Sequence, residues 1–198
     1  MEKSQFNGIN MSSDFKDIKE LIEKYKTNIN KEKLATDLKK LKLANQLRGK
    51  PSISNDKDFQ EDIKALRLNE FMFAPQSATN RLASKKPKEF RDLFIELFNK
   101  NDHAGEKTDN LKERVKAFIE KSKELNEDIG PNKKSDQDER LVGLYLTFFD
   151  SSKYTFYNDD IYLKLCSLLH KKEEKRPFRY SHFLTLIKDF VKDFIEKD

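Results

Sequence analysis

Apolar residues recur along this chain at three- and four-residue intervals, the spacing that gathers side chains on one face of a helix. The clearest stripe is Phe90, Leu93, Phe94, Leu97 and Phe98, which predicts a helix buried on one side. Shorter stripes stand on both sides of it. Phe15, Ile18, Ile22 and Tyr25 follow the capping oxygens of Ser12, Ser13 and Asp14. A second helix is expected from about Asn30 to Leu47, with Leu34, Leu38 and Leu41 inward, stopped by Gly49 and Pro51. Phe59, Ile63 and Leu66 mark a third, and Leu68 to Phe73 form an apolar patch closed by Pro75.

Beyond the Phe90 stripe, Asn99 to Thr108 reads as a loop, and a helix capped at Thr108 or Asp109 carries Leu111, Val115, Phe118, Ile119 and Leu125. The run from Gly130 to Ser135 breaks the pattern. A helix from about Asp136 to Phe149 then aligns Leu141, Leu144, Tyr145, Phe148 and Phe149, with acids in its first turns where the helix dipole favours them. Gly143 inside it costs about 1 kcal/mol relative to alanine, which predicts close approach of a neighbouring element. Residues 150–158 form an aromatic connection to a helix bearing Ile161, Leu165, Leu168 and Leu169. A basic turn from Lys171 to Arg179 leads to a last helix with Phe183, Ile187, Phe190, Val191 and Phe194. That pattern runs almost to Asp198, so a longer chain is expected to continue there.

The predicted fold class is all-α, an irregular multi-helix bundle of about eight to nine helices. Residues 1–50 are expected to form an N-terminal helical hairpin with a basic second helix, and residues 57–198 the main helical domain. The stretch from Pro51 to Lys57 is the candidate linker, since it joins a helix breaker to residues that prefer turns and caps.

Composition supports a folded chain. Charged residues are 38% of the total, but 16 Phe and 6 Tyr at helical spacing are more aromatic surface than disordered segments carry. With 5 Gly, 5 Pro and little period-two alternation, sheets are not expected. The single Cys166 rules out an internal disulfide and suits a reducing compartment. No apolar run approaches the roughly 18 residues of a membrane span, and the start lacks a signal-peptide core. The expected localisation is cytoplasmic, with no membrane partner.

Net charge is only +5, but it is unevenly placed. Between residues 31 and 50, Lys31, Lys33, Lys39, Lys40, Lys42, Arg48 and Lys50 face only Glu32 and Asp37. A second basic cluster comprises Arg81, Lys85, Lys86, Lys88 and Arg91; a third comprises Lys171, Lys172, Lys175, Arg176 and Arg179. Clustered cations bind nucleic-acid phosphates by releasing counterions, although a lysine-rich face is also simply a solvated one. The second cluster feeds the start of the Phe90 helix, whose free N–H groups favour anions; equally, Pro87 there can merely occupy the first helical position.

No catalytic or metal constellation is read in the chain. His103, His170 and His182 are too scattered to pair as ligands, and Cys166 four residues before His170 gives only two ligands. The segment from Gly130 to Ser135 lacks the first glycine and the preceding strand of a phosphate-binding loop. Acid pairs such as Asp136 and Asp138, or Asp159 and Asp160, read as helix caps or solvated charge. Tyr154, Phe156, Tyr157 and Tyr162 can either stack unpaired bases or pack a loop on the core. No cofactor is expected, and no enzymatic activity.

Asp138, Glu139 and Arg140, then Leu146, Thr147, Phe148 and Phe149, then Lys153 to Tyr157 with Tyr162 and Cys166, then Tyr180, Phe183, Asp189, Phe190 and Ile195, together resemble a helical segment preceding the motor of McrB-like GTPase subunits of modification-dependent restriction systems. The resemblance spans about residues 90–198. It implies a bacterial anti-phage system in which an N-terminal module recognises DNA, a GTP-driven ring translocates, and a separate nuclease subunit is engaged through the motor. This chain has no Walker motifs, so the motor is expected downstream. It also departs from members whose N-terminal domain is a mixed α/β fold that flips out a methylated cytosine.

The expected function is therefore a DNA-binding, target-recognition module that touches the phosphate backbone. Arg81, Lys85, Lys86, Lys88 and Arg91 are its first candidate contacts, followed by Lys39, Lys40, Lys42, Arg48 and Lys50. The alternative is a helical adaptor that docks a partner subunit or phage protein, with Leu68 to Phe73 as its exposed patch.

Overall fold

The computed structural model describes residue 20 and residues 31–71, 76–98, 109–130 and 137–194. Among these residues the chain is all-helical, with eight α-helices, one short 3-10 turn and no strand. We number the helices α1 (Lys31–Gln46), α2 (Asp56–Ala65), α3 (Gln76–Lys85), α4 (Pro87–Leu97), α5 (Asp109–Ile129), α6 (Glu139–Phe149), α7 (Asp159–Leu168) and α8 (Arg179–Phe194). The predicted helix at Phe15 to Tyr25 and the breaks at 99–108 and 131–135 lie outside the described residues.

Local sequence explains the helix starts. Asn55 caps α2: its Oδ1 accepts the Asp58 N–H at 2.9 Å while its amide donates back to the Asp58 carboxylate at 2.7 Å, so the two side chains support each other. Asp138 caps α6 by accepting the N–H groups of Arg140 and Leu141, and Asn158 caps α7 by accepting those of Asp160 and Ile161. Pro87 opens α4 at its first position with no side-chain cap before it, because its fixed φ suits that place and its missing N–H is one a helix leaves unpaired anyway. Gly49 ends the run after α1 with φ +79°, where a side chain would be strained.

Helices α2, α3, α4 and α5 pack on one another; α6 bridges α5 and α8, and α7 leans on α8. The predicted Phe90 stripe is all interior: Phe90, Leu93, Phe94, Leu97 and Phe98 are buried. Phe94 is the hub, with the rings of Phe59, Phe90, Phe98, Phe118 and Tyr145 centred 4.8 to 5.4 Å away. Polar closure of this core comes from three buried groups. The Tyr145 hydroxyl donates to Gln137 Oε1, the Gln137 amide donates to Thr79 Oγ1, and the Thr79 hydroxyl is left to donate to Tyr145, each at 3.1 Å.

A second aromatic group, Tyr157, Tyr162, Tyr180 and Phe183, fills the space between α6, α7 and α8. Gly143 makes that fit: a Cβ there would stand 2.9 Å from Tyr180 Cε2 and 3.2 Å from Tyr157 Cβ, so the close approach expected of this glycine is present. Tyr157 and Tyr162 are buried, and Phe156 meets Phe71 at 5.6 Å, so these aromatics serve packing.

Three expectations are corrected. Leu38 and Leu41 are 47% and 45% exposed rather than inward, because α1 is fixed to the body at its far end, where Ala44 is buried and the Gly49 N–H donates to the Phe148 carbonyl at 2.8 Å. Ile161 is exposed, since α7 turns Tyr162 and Cys166 to the core instead. Leu68 is fully buried and Phe71 packs on Phe148 at 5.0 Å, so the proposed exposed patch is interior there; Met72 and Phe73 lie outside the described residues. The candidate linker itself makes contacts. Pro51 is buried, and Asp62 accepts both the Ser52 N–H at 2.7 Å and the Lys50 ammonium at 2.6 Å.

Candidate nucleic-acid contact surface

The second basic cluster divides into residues turned inward and residues turned out. Arg81 donates to Asn126 Oδ1 at 2.6 Å, tying α3 to α5. Arg91 is a quarter exposed or less and pairs with Asp56 at 2.9 Å, clamping α4 on the start of α2. Lys86 lies between Glu89 at 3.9 Å and Asp128 at 3.7 Å. Lys85 and Lys88 remain exposed, with no ion pair among the described residues. Guanidinium groups suit the inner role because their planar fork satisfies several acceptors at once, whereas an ammonium is more strongly hydrated.

The first cluster is more open. Lys39, Lys40 and Lys42 lie on α1 with no ion pair among the described residues; Lys39 and Lys42 are exposed and Lys40 is partly so. Nearer the body, Arg48 approaches Asp150 at 3.8 Å and Lys50 is bound to Asp62. Such surface pairs contribute little to stability, about 0 to 1 kcal/mol, and yield readily to a competing anion.

The third cluster frames a buried carboxylate. Glu139 is 3% exposed, its Oε1 accepts the Tyr180 N–H at 2.9 Å, and its Oε2 has no hydrogen-bond partner among the described residues. It thus caps α8 from the start of α6. Burial pushes its carboxyl above the ordinary value of 4.5, against the opposing pull of the Tyr180 N–H and Arg176. Beside it, Asp159 binds Arg176, Arg179 and the Tyr157 hydroxyl. Desolvation works to raise the Asp159 pKa, but those three partners outweigh it and hold it below the usual carboxylate range. Arg179 also reaches the Glu174 carbonyl at 3.1 Å and Glu173 at 3.5 Å, so the α7–α8 loop is folded onto α8 while Lys171, Lys172 and Lys175 are exposed.

The Glu139 geometry gives a pH test. A carboxyl whose folded pKa is raised contributes stability that is fully present below its unfolded value and is lost as pH rises through the folded one. Parent protein is therefore expected to lose stability relative to Glu139→Gln as pH increases from about 4 toward 8. Paired thermal melts across that range check it, and a parallel pair of curves would refute the assignment.

Two further groups went unnoticed in the sequence. Tyr162 accepts the Glu174 N–H at 2.7 Å and lies 2.9 Å from His182 Nδ1; Lys112 of α5 sits 4.3 Å over the Phe178 ring. Lone residues 12 to 66 positions apart carry no local spacing signal, so only the packing brings them together. Burial lowers the His182 pKa, with Lys112 and Lys171 adding to the shift and Glu174 opposing it. Burial likewise raises the Cys166 thiol. Among the described residues no group of three or more His, Cys, Asp or Glu could hold a metal ion, and no helix is long and apolar enough to cross a membrane.

Fold and surface together define, among the described residues, an all-helical bundle whose arginines are largely bound to its own acids, amides and carbonyls and many of whose lysines are exposed. No protein-family model, curated protein or solved structure matches the chain.

Proposed function

We propose that this chain is a nucleic-acid-binding module that contacts the phosphate backbone of DNA, acting as the target-recognition part of a McrB-like restriction GTPase. The observation that carries the reading is the set of lysines on α1 and at the α3–α4 junction, Lys39, Lys40, Lys42, Lys85 and Lys88, none of which has an ion pair among the described residues. Unneutralised ammonium groups gain most from phosphate contact, because each contact releases a condensed counterion. The candidates Arg81, Arg91 and Lys86 serve the contact indirectly, by fixing the junction that presents Lys85 and Lys88. Arg48 and Lys50 stand at the end of α1 in surface ion pairs that a phosphate can displace.

Support for the family assignment comes from the sequence resemblance at residues 138–140, 146–149, 153–157 and 180–183, which lie at the two ends of α6, in the α6–α7 connection and in the first turn of α8. They build a scaffold, so the lysines carry the contact. Motor and nuclease are then separate parts to which this module delivers DNA.

Replacing Lys39, Lys40 and Lys42 together by Gln is expected to weaken binding to a short mixed-sequence DNA duplex and to lower the log–log salt slope by about 0.9 per lost contact. Folding stability should change by no more than about 0.5 kcal/mol per substitution, as for surface sites generally. Fluorescence anisotropy across a salt series reads both quantities. Salt-insensitive binding by the parent protein, or none to duplex or single strand, would falsify the proposal.

A further inference from the structure

We infer that Lys112, Lys171 and the Nε2–H of His182 form an additional contact point for a nucleic-acid phosphate, on the face where α5, α8 and the α7–α8 loop meet. The inference rests on the DNA-binding reading above and extends it to residues that reading does not use.

The hydrogen bonds around Tyr162 bear on what His182 presents. The Glu174 N–H can only donate, so the Tyr162 oxygen accepts it at 2.7 Å; the Tyr162 O–H has the Cys166 sulfur and His182 Nδ1, at 2.9 Å, as acceptors, and we assign it to Nδ1. Nδ1 is then the acceptor nitrogen, and in the neutral ring the proton sits on Nε2. No described residue accepts from that N–H. The ring is held edge-on to Tyr162, with centroids 5.7 Å apart, so its direction is set before any ligand arrives.

Cations surround this donor. Lys112 rests its ammonium on the ring of Phe178, the residue one turn before His182, whose backbone N–H donates to the Phe178 carbonyl. Lys171 stands on the loop that is tied to α7 by its own N–H on the Cys166 carbonyl at 2.9 Å and by Glu174 on Tyr162, and both lysines act electrostatically on His182. Neither has an ion pair among the described residues. The groups facing the ring are thus Lys112 from α5, Lys171 and Glu174 from the loop, and Tyr162 from α7 with Cys166 behind it. Glu174 is the one acid among them, and its carboxylate opposes the two lysines in their effect on the ring. Two ammonium groups and one imidazole N–H make a donor set for a phosphate oxygen, and a bound anion would relieve their mutual repulsion.

Ring-proton NMR of His182, titrated with pH in the full chain, tests this. Adding a short DNA duplex is expected to raise the His182 pKa by about one unit. The double variant Lys112→Gln with Lys171→Gln should abolish that rise and lower the salt slope of duplex binding by about 1.8, two contacts' worth. A duplex that binds without shifting His182, or a double variant that binds as the parent does, overturns the inference. If the α1 lysine variant alone loses affinity, the DNA-binding reading survives and only this contact falls; if no nucleic acid binds at all, both fall. A matched titration with pyrophosphate separates the sources, since an equal shift at equal concentration would make free oligophosphate, and not a strand, the ligand.

Discussion

Phe94→Ala is expected to remove about 3–5 kcal/mol of folding stability, the largest loss of any single truncation considered for this chain. Phe94 is fully buried and its ring meets five others, from α2, α4, α5 and α6, in edge or tilted contacts. Truncation removes the transfer free energy of a benzyl group and leaves a cavity walled by rings that cannot follow it inward. Phe59 is held by α2, Phe118 by α5 and Tyr145 by its own hydrogen bonds, so relaxation is limited. Aromatic contacts of this geometry add about 0.5–1.5 kcal/mol per pair beyond buried area, and several go at once. Urea unfolding followed by circular dichroism gives the number. Phe94→Leu, which keeps much of the volume, should lose clearly less, and a loss under about 1 kcal/mol for the alanine variant would mean that the cluster collapses far more easily than its packing implies.

The second large effect belongs to the polar triangle beneath that cluster. Tyr145→Phe is expected to cost about 1–3 kcal/mol, although it removes a single oxygen. The deletion leaves the Thr79 hydroxyl without its acceptor and takes one donor from Gln137, both buried side chains. The size of the loss lies chiefly in that Thr79 hydroxyl, which a double-mutant cycle can show. Thr79→Val made in the Tyr145→Phe background should cost less than it does alone, because the hydroxyl it deletes has already lost one of its partners. Additive losses would show that the three groups do not act together. Burial pushes the Tyr145 hydroxyl well above its ordinary range, so the penalty should be constant through neutral pH.

How much of this could be read from the sequence depends on what kind of information each residue carries. The Phe90 to Phe98 stripe was legible because five large side chains at helical spacing leave one face for them to share, and Gly143 because a glycine inside a helix needs a reason. Leu38, Leu41 and Ile161 misled for the converse reason. Periodicity says which residues share a face, but not whether another element covers it. On α7 the deciding feature is the Tyr162 hydroxyl, which finds partners in Glu174 and His182 and so can be buried where Ile161 is not.

The candidate surface was legible only as charge. Counting cations located the clusters, yet Arg81 and Lys85 look alike in a count and have opposite lives in the fold. Arg81 meets Asn126 across 45 positions, and Arg91 meets Asp56 across the α2–α4 contact. Long-range partnering of this type has no local signature. The meeting of Lys112, Lys171 and His182 was hidden for the same reason.

The split between arginine and lysine has one more consequence. Arg81, Arg91, Arg114 and Arg179 work as rivets, each joining two parts of the chain through an acid, an amide or a carbonyl, as when Arg114 takes the Leu97 carbonyl at the end of α4. Lys39, Lys40, Lys42, Lys85 and Lys88 hold nothing together. These four rivets and these five lysines are thus different amino acids, so the five can be acylated, lost or moved one residue at a time by mutation while each of the four rivets stays in place.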